Sequence, residues 1–430
     1  MLNTIRFIPF LLTIILTLVA SESSYGERIN PETDITYLGA FRLPSEYSNN
    51  HKWEYGGYAL AFRPDGDPGG DKDGFPGSLY SAGKMKDSSQ IKCVSEFSIP
   101  APIKSNNVAE LPIAKTIQPF GDITQGFFDQ VLSGQQLNRL RGLVYLDAQP
   151  GQSRGKLYWS IWSAYNTAGV NLPSQGYSDS SISNPNAQGV WRLQGYHSKS
   201  VSGYLFEIPK DWADNYLGGM YIGTGVSRDG GAFSRGPTLF AIAPYRYTNT
   251  NPPPNSELPT VPLIYYNSDH DNYPNYVPVD KWWGGAWLTA SSKEAVIFVG
   301  LKCLGSSCYG TGDDCGDSCS SYKGYHCFPR EPEMVFYDVT DLEQVATGAK
   351  QPWEPQPYYI LDLRTLIPQY GTCTLTQGVA YDREHNLLYL IQYQGDGAKP
   401  LVHVLKINDT SSSTTMGQAP GTPPYLKIIE

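Results

Sequence analysis

Short apolar segments alternate with polar turns along most of the chain and predict a series of β-hairpins. In each copy a glycine precedes an apolar strand, a polar turn follows, and a second strand carries Leu-Tyr or an equivalent pair. Strands of this length with turn residues between them are typical of all-β proteins. The copies are residues 56–62 with 78–83, 141–147 with 156–162, a weaker copy at 221–226 with 238–244, 284–290 with 295–301, and 377–382 with 387–393.

Most copies continue into a third and a fourth strand. The third-strand candidates are KCVSEFSIP, GYLFEIP, EMVFYDV and LVHVLKI, and the fourth-strand candidates are AKTIQPF, VPLIYYN and YYILDL. One four-stranded sheet cannot cover both of its apolar faces, whereas sheets packed around an axis cover one another. The last copy lacks a fourth strand of its own, so we predict that the N-terminal segment 35–44 (ITYLGAFRLP) joins it and closes the ring.

These repeated hairpins resemble the β-propeller superfamily and, more loosely, the uncharacterised secreted β-propellers of bacteria. The resemblance covers residues 34–407 and rests on the hairpins, since neither a WD nor a kelch signature is present. It implies a propeller of about five four-stranded blades, with six as an alternative because the third copy is irregular. The copies lie about 60 to 90 residues apart, against roughly 40 to 50 in an ordinary blade, which predicts long inserted loops. A decorated β-sandwich is the competing fold.

Three segments between the copies have their own patterns. Residues 122–140 begin with an acidic cap and have apolar residues at helical spacing, which predicts the one substantial, still short, helix. Residues 165–196 are rich in Ser, Asn and Gly and are interpreted as a long surface loop, and residues 249–257 as a proline-rich turn. Residues 408–430 have few apolar side chains, which predicts a flexible C-terminal tail.

The N-terminus has the pattern of an export signal. Arg6 precedes an uncharged apolar run at 7–20, and small residues follow it, which predicts a signal peptide over residues 1–23. An uncleaved anchor is the alternative, although the run is shorter than the roughly 20 residues of a membrane span. No second long apolar stretch occurs. We therefore expect a secreted or periplasmic protein with no membrane span in the mature chain.

The amino-acid composition limits the classes of molecule that we expect the mature protein to bind. The chain has 43 Gly, 33 Pro and 31 Tyr but only 17% charged residues, which favours short strands and turns over long helices. Its formal net charge of −9 argues against nucleic acid, because a nucleic-acid site needs clustered Lys and Arg. Glycans, small molecules and proteins remain as partner classes.

Five of the seven cysteines lie within residues 303–327. In an exported protein we expect disulfide bonds, and a zinc site is disfavoured because no C-x2-C pair is present. Spacing alone does not determine the pairing. Cys93 and Cys373 lie in the first and last blades, so they are candidates to bridge the seam of the ring. The odd count leaves at least one cysteine unpaired or bonded to another molecule.

An acidic turn follows the first strand. Clustered carboxylates on a glycine-rich loop are typical ligands of calcium, although the EF-hand register fails at Pro76. A solvated acidic loop is the alternative, and the sequence indicates no other cofactor. Smaller acidic clusters occur at 267–271 and 313–317. The candidate calcium ligands are Asp65, Asp67, Asp71 and Asp73.

Propellers usually bind ligands at one mouth of the central channel. In this chain we predict that the residues directly before each repeated glycine line that mouth. They offer carboxylates, guanidinium groups and aromatic faces, although such residues also fill small propeller channels. The end of the cysteine-rich loop adds His326, a candidate general base or metal ligand, and Arg330. The predicted mouth residues are Trp53, Glu54, Tyr55, Arg141, Arg228, Asp229, Trp282, Trp283, Thr376 and Gln377.

The sequence leaves three functions open. No GxSxG, HExxH, P-loop or strand-associated dinucleotide motif is present. The first hypothesis is an exported propeller that binds a ligand or protein at the channel mouth. The second is a glycan-active hydrolase or lyase, with Glu54, Asp229 and His326 as catalytic candidates. The third is a structural component of a surface assembly.

Overall fold

The computed structural model describes residues 26–45, 51–72, 75–85, 90–132, 139–163, 169–226, 233–247 and 251–409. The predicted signal peptide and almost all of the predicted tail lie outside these ranges, as do Asp73, Arg228 and Asp229. Among the described residues, no helix is long and apolar enough to cross a membrane.

Strands make up most of the regular structure. They are β1 (Glu27–Arg28), β2 (Ile35–Arg42), β3 (His51–Lys52), β4 (Leu60–Arg63), β5 (Ser78–Met85), β6 (Ile91–Ser98), β7 (Thr116–Gly121), β8 (Arg139–Leu146), β9 (Lys156–Trp162), β10 (Gln175–Asp179), β11 (Gln188–Leu193), β12 (Tyr204–Glu207), β13 (Ile222–Gly225), β14 (Leu239–Ile242), β15 (Glu257–Leu258), β16 (Val261–Ile264), β17 (Lys281–Ala290), β18 (Lys293–Cys303), β19 (Cys308–Gly310), β20 (Gly324–His326), β21 (Arg330–Tyr337), β22 (Pro357–Asp362), β23 (Thr376–Asp382), β24 (Leu387–Asp396) and β25 (Lys399–Ile407).

The helices within the described ranges are short. They are α1 (Phe127–Val131), α2 (Ser198–Val201), α3 (Lys210–Tyr216), α4 (Gly312–Cys315) and α5 (Val339–Ala346). Single 3-10 turns occur at Gly70–Lys72, Val108–Glu110, Pro244–Tyr247 and Leu363–Thr365.

Most of the strands form five antiparallel units of four, which we number sheets 1 to 5. Sheet 1 is β4-β5-β6-β7, sheet 2 is β8-β9-β10-β11, sheet 3 is β12-β13-β14-β16, and sheet 4 is β17-β18-β21-β22. Sheet 5 is β23-β24-β25 completed by β2. Sheets 1 and 2 are joined by one parallel pair between Ile91 and Arg139. The prediction of a mostly β chain is confirmed.

The N-terminal strand supplies the missing fourth strand of the last unit. β2 pairs antiparallel with β25, from Ile35 opposite Ile407 to Arg42 opposite Leu401. Sheet 5 therefore joins the two ends of the described chain, and the predicted role of the segment ITYLGAFRLP in the last unit is confirmed.

The first strands of the five sheets contact one another in cyclic order. β4 contacts β8, β8 contacts β12, β12 contacts β17, β17 contacts β23, and β23 contacts β4. Glycine permits this close approach, because a Cβ added at Gly142 would lie 2.3 Å from the Gly203 carbonyl oxygen. A Cβ added at Gly284 would lie 2.4 Å from Val379 Cγ2. These two repeated glycines therefore mark places where neighbouring sheets pack most closely.

Apolar side chains fill the spaces between successive sheets. Ile297 and Phe336 of sheet 4 pack in one cluster with Leu388 of sheet 5. Phe97 of sheet 1 packs in another cluster with Tyr389 of sheet 5. The core is thus divided among inter-sheet spaces, as expected when each sheet has two apolar faces.

Strands β10 and β11 were not predicted from the sequence, because polar residues are buried in this segment. The segment 165–196 is not one long loop, since it contains β10 and β11. Gln175 Nε2 donates to the Val201 carbonyl at 2.7 Å, and Ser178 Oγ donates to the Ile123 carbonyl at 2.5 Å. Hydrogen bonds make burial of these polar side chains possible, so composition did not reveal the strands.

The third unit begins one strand earlier than predicted. The segment GYLFEIP contains β12, the first strand of sheet 3, and is not a third strand. The segment YIGTGV contains β13, the second strand, and not the first. The wrong assignment follows from the shortness of these strands, each of which has four residues.

The predicted helix over 122–140 is also wrong in length. In the described part of this segment the helix is limited to α1, and β8 already begins at Arg139. The left-handed Gln125 and Gly126, with φ of 46° and 88°, stop the helix from starting at the Asp122 cap. Asp122 instead accepts hydrogen bonds from the backbone of Thr124 and Gly126 in a turn.

Three disulfides stabilise the cysteine-rich insertion between β18 and β21. They are Cys303–Cys327, Cys308–Cys315 and Cys319–Cys373. Disulfide bonding is thus confirmed and indicates an oxidising, extracellular or periplasmic environment. The predicted Cys93–Cys373 bridge is wrong, because Cys93 is a buried free thiol in the apolar space between sheets 5 and 1. Cys373 joins the insertion of sheet 4 to the segment before sheet 5.

Candidate functional site

A cavity of about 360 Å³ lies where the five first strands meet, and we call it the central cavity. Every first strand contributes to its wall. This volume falls within the roughly 300–1,000 Å³ of small-molecule sites. The lining residues are Leu60, Ala61, Phe62, Pro64, Leu143, Val144, Tyr145, Asp147, Leu205, Phe206, Glu207, Gly285, Ala286, Trp287, Val379, Ala380, Tyr381, Asp382, Arg383 and Glu384.

The chemistry of the wall changes along the first strands. Along β8 and the residue after it, Leu143, Tyr145 and Asp147 are spaced by two, which places them on one face of the strand. Leu205 and Glu207 of β12 have the same spacing. The cavity is therefore apolar near the middle of the first strands and charged where those strands end.

Two carboxyl groups of this charged layer have altered acidity. Burial raises the pKa of Asp147, and the nearby carboxylate of Asp65 raises it further. Burial among the surrounding strands also raises the pKa of Glu207, although 46% of its side chain meets solvent. Arg383 opposes that rise and Asp147 adds to it. Both groups therefore hold their protons to a higher pH than an isolated carboxyl group does.

Arg383 is held at this end of the cavity by two neighbouring first strands. Its Nη1 donates to Thr289 Oγ1 at 2.8 Å, and its Nη2 donates to the Glu207 carbonyl at 3.4 Å. The Glu207 carboxylate lies 3.8 Å from Nη2. Within the described part of the chain, the buried Nε of Arg383 forms no hydrogen bond. Arg383 is thus fixed in place and keeps one donor for another acceptor.

Asp382 has a structural role in the turn after β23. It is 1% exposed and accepts hydrogen bonds from the backbone N–H of His385 at 3.1 Å. The Nδ1 atom of His385 lies 2.9 Å from its other oxygen. Asp382 is therefore already engaged, in contrast to Glu384, which lies exposed at the rim.

The opposite ends of the first strands meet in a cation–aromatic cluster, which comprises Tyr58, Arg139, Arg141, Trp162, Lys199, Lys281 and Trp283. The Arg141 guanidinium lies 5.3 Å from the ring centroid of Tyr58, 5.0 Å from that of Trp162 and 5.1 Å from that of Trp283. Arg141 is only 1% exposed. Such contacts are favourable when water is excluded.

Further cations face the same rings. Arg139 lies 4.6 Å from the centroid of Tyr58, and Lys281 lies 5.7 Å from that of Trp283. Burial of Tyr58 opposes ionisation, but the two guanidinium groups outweigh it and lower the pKa of Tyr58. Apart from Arg139, every side chain of this cluster is buried.

The structure brings together only part of the predicted mouth. Arg141 and Trp283 meet in the cation–aromatic cluster. Trp53 lies apart, 2% exposed, with its ring centroid 4.6 Å from that of Phe120 in the space between sheets 5 and 1. Trp282 is fully buried and its Nε1 donates to Glu333 Oε1 at 3.0 Å.

The remaining mouth residues are dispersed. Tyr55 is 41% exposed, and the ammonium of Lys84 lies 4.8 Å from its ring centroid. Glu54 is half-buried, while Thr376 and Gln377 are buried. Their role in ligand binding stays a prediction.

His326 lies in a buried network inside the cysteine-rich insertion. Its Nδ1 is 2.9 Å from Asp317 Oδ2, and its Nε2 is 2.6 Å from the Tyr322 carbonyl oxygen. Arg330 Nη1 donates to the same Asp317 oxygen at 3.2 Å. Both ring nitrogens thus hold the insertion together, and a catalytic or metal-binding role for His326 stays a prediction.

The acidic turn after β4 is partly neutralised by the chain itself. Arg63 Nε donates to Asp65 Oδ1 at 2.8 Å, which lowers the pKa of Asp65. Asp67 accepts from the backbone N–H of Gly69 at 2.9 Å. The side chains of Asp71 and Asp73 lie outside the described residues. Among those described, no group of three or more His, Cys, Asp or Glu residues could hold a metal ion, and calcium at this turn stays a prediction.

The sequence interpretation overlooked the charged layer of the central cavity. It considered residues before each glycine, whereas Asp147, Glu207 and Arg383 lie near the other ends of the first strands. A signal was present, since three first strands end in VYLD, LFE and AYDRE, with a charged residue where an apolar strand stops.

Comparison with known proteins yields distant structural likenesses alone. No protein-family model matches the chain, and no curated protein matches it. A humanized mutant of the Chaetomium thermophilum Polycomb Repressive Complex 2 has 9% identity and a TM-score of 0.32, over 87% of this chain and 98% of that chain. A levansucrase complexed with sucrose has 9% identity and a TM-score of 0.32, over 87% and 83%. A Microbacterium saccharophilum beta-fructofuranosidase mutant has 9% identity and a TM-score of 0.22, over 89% and 63%. At such scores the likenesses assign neither a fold family nor an activity to this chain.

Proposed function

We propose that the chain is an exported five-bladed β-propeller that binds a small molecule or the end of a glycan in its central cavity. Sheets 1 to 5 would be the blades. The cyclic contacts of β4, β8, β12, β17 and β23 support this arrangement, and so does the completion of sheet 5 by the N-terminal strand. A strand from the other end of the chain that completes the last sheet ties the first and last blades of such a ring together.

The observation that carries the proposal is a cavity of about 360 Å³ lined by all five first strands. Its apolar middle can cover the body of a ligand, while Asp147, Glu207 and Arg383 supply a few polar groups at the rim that orient it. Apolar walls with few polar groups and altered acidity are typical of binding sites. The buried cation–aromatic cluster fills the opposite end, which leaves this end as the entrance.

The second candidate function is glycan hydrolysis in the same cavity. It is favoured by the raised pKa values of Asp147 and Glu207, because a general acid must keep its proton near neutral pH. Hydrolysis then depends on both carboxyl groups. If Asp147→Asn and Glu207→Gln each lose turnover but still bind the glycan, the protein is an enzyme. If the wild type shows no turnover, the binding function is retained as the proposal.

The proposal is tested by isothermal titration of the mature protein with a panel of neutral, acidic and basic saccharides. For each ligand that binds, we expect Glu207→Trp to abolish binding, because the bulky ring would occupy the cavity from an exposed position. Tyr55→Ala, a change of an exposed aromatic residue at the predicted mouth, is the matched control and should leave binding unchanged. Loss of binding in Tyr55→Ala but not in Glu207→Trp would place the ligand at the other end and overturn the proposal.

A further inference from the structure

We infer that the ligand of the central cavity carries a cationic organic group, an amine or a guanidinium, that binds to the carboxylates of Asp147 and Glu207. This inference rests on the proposed function and specifies the class of ligand. It is based on the excess of acidic over basic side chains in the cavity wall. Four of the lining residues are acidic, and Arg383 is the one basic residue among them.

The charges that are already neutralised do not remove this excess. Asp382 is engaged by His385 in its turn. Arg383 forms a long ion pair with Glu207, whose carboxylate lies 3.8 Å from Nη2, and so offsets one of the four acidic charges. Its closer contacts are to Thr289 and to backbone carbonyls. The charged layer therefore stays acidic at the end of the cavity that we propose as its entrance.

Arg63 offsets the charge of Asp147 only in part. Its Nε donates to Asp65 at 2.8 Å, and its Nη1 lies 3.5 Å from the buried carboxylate of Glu96. One guanidinium thus serves two other carboxylates. Asp147 is left with a hydrogen bond from Tyr145, a Coulombic attraction to the shared Arg63, and Asp65 as a like-charged neighbour.

The acidity of the two carboxyl groups agrees with this geometry. Burial and a neighbouring carboxylate raise the pKa of Asp147 and of Glu207. A bound cation would stabilise the ionised forms and displace their protons. Affinity for a cation should therefore increase as pH rises through the elevated pKa values and decrease as pH falls.

The cavity fits an organic cation better than a metal ion. In the described ranges, no set of three or more His, Cys, Asp or Glu side chains is arranged to hold a metal. The apolar wall formed by Leu60, Leu143, Leu205 and Val379 would instead cover carbon atoms. Amino sugars, basic amino acids and polyamines combine a carbon skeleton with such a charge.

The test is a matched titration series. Glucosamine oligomers are compared with N-acetylglucosamine and glucose oligomers of equal length, and arginine amide and spermidine serve as cations without a sugar ring. We expect at least one cationic probe to bind about tenfold or more tightly than its neutral counterpart, because hydrogen bonds to charged groups are stronger than neutral ones. The preference should shrink at high salt and at pH 5.5.

Variants then assign the effect to the two carboxylates. Asp147→Asn and Glu207→Gln should each weaken the cationic probe about tenfold and leave neutral sugars nearly unaffected. Asp313→Asn, which changes an exposed carboxylate on α4, is the matched control. Equal affinity for charged and neutral oligomers would overturn the inference, as would failure of all cationic probes. If neutral sugars bind and Glu207→Trp abolishes that binding, the proposed function stands without the inference.

Discussion

The buried carboxyl group of Glu333 should make the stability of the protein decrease as pH rises. Glu333 lies on β21, is 0% exposed, and its Oε2 forms no hydrogen bond within the described residues. Burial, with a further contribution from Asp280, raises the pKa of Glu333 to about 8. In the unfolded chain the pKa of a glutamate is about 4.3. The folded state therefore binds the proton more tightly.

The magnitude follows from the difference between these two pKa values. The contribution to stability is complete below about pH 4.3 and is lost at about 1.4 kcal/mol per pH unit up to the folded pKa of about 8. The loss between pH 5 and pH 8 is thus on the order of 4 kcal/mol. Glu333→Gln keeps an acceptor for Trp282 Nε1, so it should remove this pH dependence with little change at pH 5.

Urea denaturation at pH 5, 6, 7 and 8 measures the effect. We expect the free energy of unfolding of the wild type to fall more steeply with pH than that of Glu333→Gln, and the variant to be the more stable protein at pH 8. Parallel pH profiles for the two proteins would refute the argument, since they would show that Glu333 is ionised in the folded state at no unusual cost.

Three other changes test separate parts of the structure. Replacing both Cys319 and Cys373 by serine should lower the free energy of unfolding, measured by urea denaturation, by about 2–4 kcal/mol. An unchanged free energy would contradict the disulfide link between sheets 4 and 5. Burial lowers the pKa of His403 to about 3, so the free energy of unfolding should decrease below pH 6.5, because the unfolded chain takes up a proton that the folded chain does not. His403→Gln should reduce this acid sensitivity, and an acid titration identical to that of the wild type would contradict the prediction. Arg141→Met should lower the free energy of unfolding by about 1–3 kcal/mol, because cation–aromatic contacts are lost, and should leave ligand affinity unchanged. Loss of ligand binding without loss of stability would instead make the cation–aromatic cluster part of the binding site.

The repeated hairpins were predictable because period-two apolar strands follow glycines at which sheets approach closely. The same reasoning placed ITYLGAFRLP against the last unit, as the pairing of β2 with β25 confirms. It failed where burial depends on hydrogen bonds and not on apolar side chains. Gln175 and Ser178 are polar, yet they are buried in β10 by bonds to backbone carbonyls of distant segments.

The candidate site was less predictable, because it depends on which strands become neighbours and in which direction each side chain points. Arg141 and Trp283 were singled out and do meet. Asp147 and Glu207 were not, since each is an ordinary charged residue near the end of a short strand until five strands are brought around one cavity. The disulfide partner of Cys373 depended likewise on how the insertion of sheet 4 folds back.

A crystal structure of the complex with the tightest ligand of the saccharide panel tests the central claim most directly. The account predicts ligand density in the central cavity, between the first strands of sheets 1 to 5 and in contact with Asp147 or Glu207. Density at the opposite end, against Tyr55 and the cation–aromatic cluster, would contradict it.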